Sequence, residues 1–99
     1  MIPKPTKIIS KKIRQSAKDE HCTLRLPGIC QVDTNTTVFA HINSPFKGVG
    51  NKSPDIFGVY ACRSCHAELD AGKVSYRDQM RAMQETQMRL YSKNLININ

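Results

Sequence analysis

Tryptophan is absent from the 99 residues, and aromatic side chains make up only 6% of them. With 39% hydrophobic residues, that is little apolar material for a core, so the fold needs a staple. No apolar run approaches the ~20 residues of a bilayer span, which excludes a membrane-spanning helix. No charged-then-apolar leader with a small-residue cleavage site opens the chain, so a cytoplasmic protein is expected. Repeats are lacking, and typical domains run to ~100–150 residues, so one small domain is expected. A large enzyme with a buried cofactor cleft does not fit that size.

Acids are missing from residues 1–18, where Lys4, Lys7, Lys11, Lys12, Arg14 and Lys18 supply +6 of the net +7. The other residues hold nine bases and eight acids and are nearly neutral. A basic arm on a near-neutral domain points to a polyanion, nucleic acid foremost; the competing reading is a solubilising tail. Ile8, Ile9 and Ile13 give the arm part of an apolar face, but no aromatic anchor accompanies them, so a membrane surface is disfavoured.

Residues 1–7 hold two prolines and are expected to be extended, and Ser10 is placed to cap a short helix ending near residue 19. A short β segment is expected at 24–26, followed by a Pro27-Gly28 turn. Residues 37–42 (TVFAHI) read as a strand, and 43–53 as a surface loop rich in Gly, Pro, Asn and Ser. Ser53-Pro54-Asp55 resembles a helix start, with Gly58 and Val59 limiting the helix. A helix is expected in the second half of 62–70, ended by Ala71-Gly72. A longer helix from Ser75 to about Lys93 would pack through Tyr76, Met80, Met83, Gln87, Leu90 and Tyr91. The last five residues read as frayed or as an edge strand.

Four cysteines stand out. Cys22 and Cys30 are separated by seven residues, Cys62 and Cys65 by two, and the pairs by 31. Two close pairs across a long loop are the pattern of a tetrahedral zinc site, because tight turns bring thiolates together at low entropic cost. Arg63 and Ser64 would form the turn of the second pair. Two disulfides compete poorly, since no secretory signal is visible; a redox CxxC would not need the second pair. Zinc would be the missing staple, because metal–thiolate coordination supplies folding energy.

Of three histidines, His21 beside Cys22 is expected to be exposed. His66 follows Cys65 directly, which makes CxxCH, but the second cysteine pair argues against haem attachment. Asp70, four residues beyond His66, shares its helix face, so the two suit either a divalent ion or an ordinary ion pair. His41 at a strand end is by itself read best as a buried, satisfied histidine.

Taken in order, CTLRLPGIC, VFAHI, KSPDIFGVYACRSCHAELD and the following helix with its ETQ segment resemble the HNH (ββα-metal) nuclease finger in its four-cysteine version. They resemble most the small prophage-encoded YbcO-like family of candidate HNH nucleases, over roughly residues 20–95. The resemblance implies an α+β fold: a small zinc-stabilised ββα-metal domain with short strands and a long C-terminal helix, preceded at 1–19 by a basic arm or short helix.

It also implies roles. His41 matches the general base, His66 a ligand of a catalytic ion of the Mg²⁺ class, and Asp70 a further metal-binding position. Asp55 stands near the central Asn of the motif, with Asn51 a weaker match. Ala40 departs from the pattern, since many such enzymes carry a metal-binding Asp or His just before the base. The implied activity is hydrolysis of DNA phosphodiester bonds by a phage- or prophage-encoded enzyme, with DNA as the expected partner and RNA as a second candidate partner. Lys11, Lys12, Arg14, Lys47, Lys52 and Arg63 are the candidate phosphate contacts. A non-catalytic zinc module that binds DNA or RNA, and a zinc module for protein interaction, remain as alternatives. No candidate catalytic residue lies in 1–18, so deleting that arm is expected to weaken binding and spare catalysis at saturating DNA.

Overall fold

Two four-residue strands, β1 (Val38–His41) and β2 (Gly58–Ala61), pair antiparallel with Phe39 opposite Tyr60 and His41 opposite Gly58. The computed structural model describes residues 8–31, 33–44 and 53–98. Side chains alternate across the sheet and divide the core in two. Ala40, Val59 and Ala61 join the cysteines, Leu24, Leu26, Val74 and Ala82 in one cluster. Phe39 and Tyr60 join Ile13, Ala17 and Leu90 in the other. The fold is thus α+β, with the short sheet between helices and a cysteine-bearing loop.

The loop takes the free edge of β2. Thr23 N–H donates to the Tyr60 carbonyl at 2.7 Å, and Tyr60 N–H reaches the hydroxyls of Thr23 and Thr86 at 3.1 and 3.3 Å. The two threonines also bond each other, at 2.9 Å, so polar groups that are fully buried are satisfied.

Helix α1 (Lys11–Gln15) begins at Ser10, whose hydroxyl accepts from Ile13 N–H. It is shorter than the sequence suggests; its Ile13, and Ala17 just beyond its end, are buried with Tyr60 and Leu90. Tyr60 places its hydroxyl 2.7 Å from Ser16, which gives its buried polar tip a partner. Helix α2 (Arg63–Asp70) ends where Gly72 takes φ +72°, with Lys73 N–H bonded to the Glu68 carbonyl, as expected from Ala71-Gly72. Helix α3 (Tyr76–Ser92) is capped by Ser75 and carries Asp78 in its first turn. Asn94 at φ +60° closes it, with Leu95 N–H on the Leu90 carbonyl.

Three further local expectations differ from the structure. Residues 24–26 form no strand, because Arg25 adopts φ +42° and turns the chain back toward Cys22. Residues 54–57 form a turn, with Phe57 N–H on the Pro54 carbonyl, in place of a helix; β2 then takes Gly58 and Val59. On α3 the buried face is Ala82, Thr86 and Leu90, while Tyr76, Met80 and Tyr91 of the expected stripe are exposed. Small residues let α3 approach β2 closely, which rotates the longer apolar side chains outward.

Candidate active site and metal centre

The sulfurs of Cys22, Cys30, Cys62 and Cys65 all lie within 4.8 Å of one another, and those of Cys30 and Cys62 are 3.9 Å apart. None is in a disulfide. A zinc ion with Zn–S near 2.3 Å asks for sulfurs about 3.8 Å apart, so four soft thiolates at this separation fit tetrahedral zinc. Backbone geometry serves the cluster: Arg25 N–H points at Cys22 Sγ from 3.5 Å, which the left-handed turn at Arg25 makes possible. Burial raises the Cys62 thiol, but N–H groups of Cys65 and Gln31 and the neighbouring thiols outweigh it and bring the pKa to about 7. Burial and the adjacent thiols push Cys30 up to about 11 and Cys65 also upward. Crowded sulfurs resist losing every proton unless a cation compensates them.

The loop is anchored to α3 from outside. Arg81 donates to the carbonyls of Thr23 and Leu24 at 2.9 and 2.6 Å. Arg25 makes a two-pronged pair with Glu85 at 2.6 and 2.7 Å.

On the other side of the sheet edge, His41 Nε2 lies 2.6 Å from Asp55 Oδ1. Phe39 stands edge-on to the His41 ring, with centroids 5.3 Å apart. Gly58, opposite His41, leaves the room that the Phe39 ring occupies; a Cβ there would run into it. Asp55 is held by the turn at 54–57, and Gln87 of α3 donates to the Ile56 carbonyl at 2.7 Å. Its Oδ2 accepts Ser10 N–H at 2.7 Å and lies 3.4 Å from Arg14 Nε. Burial raises the Asp55 carboxyl, yet His41, Ser10 N–H and Arg14 together take it below its ordinary value. It is therefore an ionised acceptor at neutral pH. A neutral His41 then donates from Nε2, which leaves Nδ1 with the lone pair.

His66 Nε2 and Asp70 Oδ2 are 3.4 Å apart on one face of α2, both substantially exposed. Asp70 and His41 line one open cleft of about 450 Å³, walled by Ile42, Leu69, Val74 and Tyr76. Ala40 is buried in the core and offers no ligand beside His41. Among the described residues, the cysteines form the one group of three or more metal-ligating side chains that converges. Lys11, Lys12 and Arg63 are exposed, whereas Arg14 reaches back to Asp55. Lys47, Asn51 and Lys52 lie outside the described residues.

Sequence reasoning missed Ser10, Arg14 and Phe39 as neighbours of the His41–Asp55 pair. Phe39 was open to inference, since alternation puts it on the same strand face as His41. Nothing local signals that a chain segment 45 residues earlier would meet Asp55.

Residues 11–97 match the family described as "Putative nuclease YbcO". Over 59 residues the chain is 39% identical to "Putative nuclease YbcO" of Escherichia coli (strain K12) and, to the same extent, to "Putative nuclease ybcO" of Enterobacteria phage 82. These matches take in 59% of this chain and 62% of each relative. A solved structure described as a "putative bacteriophage protein" from Escherichia coli K-12 superposes with a TM-score of 0.65 at 29% identity. That superposition covers 84% of this chain and all of the other. No helix among the described residues is long and apolar enough to cross a membrane.

Proposed function

The chain belongs to the YbcO family, and on that premise we propose that it is a metal-dependent HNH-type endonuclease that hydrolyses DNA phosphodiester bonds, with His41 as general base. The observation that carries this reading is the 2.6 Å contact between His41 and the buried, ionised Asp55, with His41 itself lining a cleft that Asp70 also lines. A buried carboxylate on one ring nitrogen is how an imidazole is oriented to take a proton at the other.

In this mechanism Nδ1 of His41 removes a proton from the attacking water. The water oxygen bonds to phosphorus in line, the bond to the 3′-oxygen breaks, and solvent returns a proton to that oxygen. Asp55 stabilises the imidazolium as it forms. His66 and Asp70 are the groups that would hold a divalent ion of the Mg²⁺ class. When bound, such an ion would supply positive charge to the phosphate oxygens; Mg²⁺ commonly takes only one or two protein ligands and fills its shell with water and phosphate. The four cysteines would hold structural zinc, which stabilises the fold and leaves no open position for chemistry. Lys11, Lys12, Arg63, Lys47 and Lys52 would contact phosphates, which sets affinity and register.

Ala40 favours one second reading: a zinc-stabilised nucleic-acid-binding module of phage origin without cleavage, since the position before His41 supplies no ligand. Incubation with supercoiled plasmid and linear duplex, in Mg²⁺ or Mn²⁺ and in EDTA, separates the two. Metal-dependent nicking supports the nuclease; retention of DNA without cleavage in any metal supports the binding module.

A further inference from the structure

Asp55 is only 5% exposed, yet three of its contacts come from one stretch far away in sequence. Its backbone N–H donates to the Ile8 carbonyl at 2.8 Å. Its Oδ2 accepts from Ser10 N–H at 2.7 Å and pairs with Arg14 Nε at 3.4 Å. The fourth contact is His41. The short helix α1, which Ser10 caps and which carries Arg14, is itself fixed, because its Ile13 is buried beside Tyr60. Both oxygens of the carboxylate are thereby committed: Oδ1 to the ring, Oδ2 to the N-terminal segment.

We propose that residues 8–14 are a working part of the site, in which Ser10 and Arg14 position the base His41 through Asp55. This rests on the reading of His41 as general base. Arg14 is then a positioning residue, and its charge is spent on Asp55 rather than on phosphate. A carboxylate held from one side only could swing about its Cα–Cβ and Cβ–Cγ bonds. With Oδ2 fixed, Oδ1 stays on Nε2 and the ring keeps its tautomer. Base alignment is a steep function of geometry, and a misplacement of about 1 Å can cost a hundredfold in rate. The basic segment is therefore more than an electrostatic tail, and removing residues 1–18 would take away core residues and the support of the base together.

The test compares wild type, Arg14→Gln and Arg14→Lys in two ways. The first readout is the single-turnover cleavage rate at saturating DNA. The second is the ¹⁵N signature of the His41 ring in the DNA-free protein, which reports the tautomer without any cleavage. Arg14 is about half exposed, so both variants should fold, and thermal melts verify this. The expected result is a ten- to hundredfold lower saturated rate for Arg14→Gln, substantial recovery in Arg14→Lys, and a shift of the His41 ring from one tautomer toward a mixture in Arg14→Gln. A raised KM with an unchanged saturated rate and ring spectrum would overturn the proposal and make Arg14 a phosphate contact. Should wild type cleave nothing, the nuclease reading falls, and the ring spectra alone decide the positioning: a single unchanged tautomer in Arg14→Gln overturns it.

Discussion

His41 and Asp55 meet at 2.6 Å from the two sides of the chain segment that joins the paired strands. The described ends of that segment are tied together at this point: Ile42 N–H donates to the Phe57 carbonyl at 3.0 Å, and the Ser53 hydroxyl to the Ile42 carbonyl at 2.6 Å. The contact is thus a property of the sheet register and of the turn at 54–57.

The pair should leave a trace in stability against pH. The folded pKa of Asp55 lies below its ordinary 3.8, so its contribution is complete above that value and is lost as pH falls through the lowered folded pKa. Acid would also release zinc from its thiolates, so the contribution is measured at neutral pH, where Asp55→Asn should denature at a lower denaturant concentration than wild type. Equal stability would mean that Asp55 is not held as a carboxylate by His41, Ser10 and Arg14.

Gly58→Ala should disturb the site without touching a polar group. The new methyl must displace the Phe39 ring, which packs edge-on to His41 and Tyr60. Overpacking of this kind costs about 1–3 kcal/mol, and cleavage should fall along with stability. Denaturant titration beside an activity assay checks both; a variant of native stability would contradict the packing described.

Zinc should be present at one ion per chain, and its removal should unfold the domain. Structural zinc in small peptides contributes about 10–16 kcal/mol, while whole domains are stable by only about 5–15 kcal/mol. Elemental analysis of protein purified without added metal gives the stoichiometry, and circular dichroism during chelation follows the fold. A zinc-free protein with the same spectrum and melting temperature would contradict the assignment.

Lys11 and Lys12 are exposed on α1 and free to face a polyanion. If both contact phosphate, replacing them with Gln should lower the slope of log K against log salt on duplex DNA by about 1.8. Binding isotherms at several salt concentrations provide the measurement. An unaltered slope would place the nucleic-acid surface elsewhere.

Much of this was legible before the fold was known. The cysteine spacing marked a cluster able to hold a metal, β-branched residues marked β1, and Ser75 and Gly72 marked helix ends, because each signal is local. The errors lie where tertiary contact overrides local preference. The left-handed Arg25 is favoured by the cysteine cluster and by its pairing with Glu85, 60 residues away. Ser53-Pro54-Asp55 has the chemistry of a helix start, but Asp55 is engaged by His41 and the N-terminal segment, and Gly58 and Val59 are drawn into the sheet. The α3 face was misplaced because helical periodicity finds apolar residues, while contact with β2 selects small ones. The engagement of Asp55 by Ser10 and Arg14 has no sequence signal, since it joins segments brought together only by folding.

The most direct measurement is cleavage of plasmid DNA by wild type and His41→Ala, each cleared of host nucleases and assayed with Mg²⁺ or Mn²⁺ at saturating protein. With His41 as the base, wild type nicks the plasmid only in metal, and His41→Ala loses cleavage while keeping its DNA affinity. Undiminished, metal-dependent cleavage by His41→Ala would contradict the account.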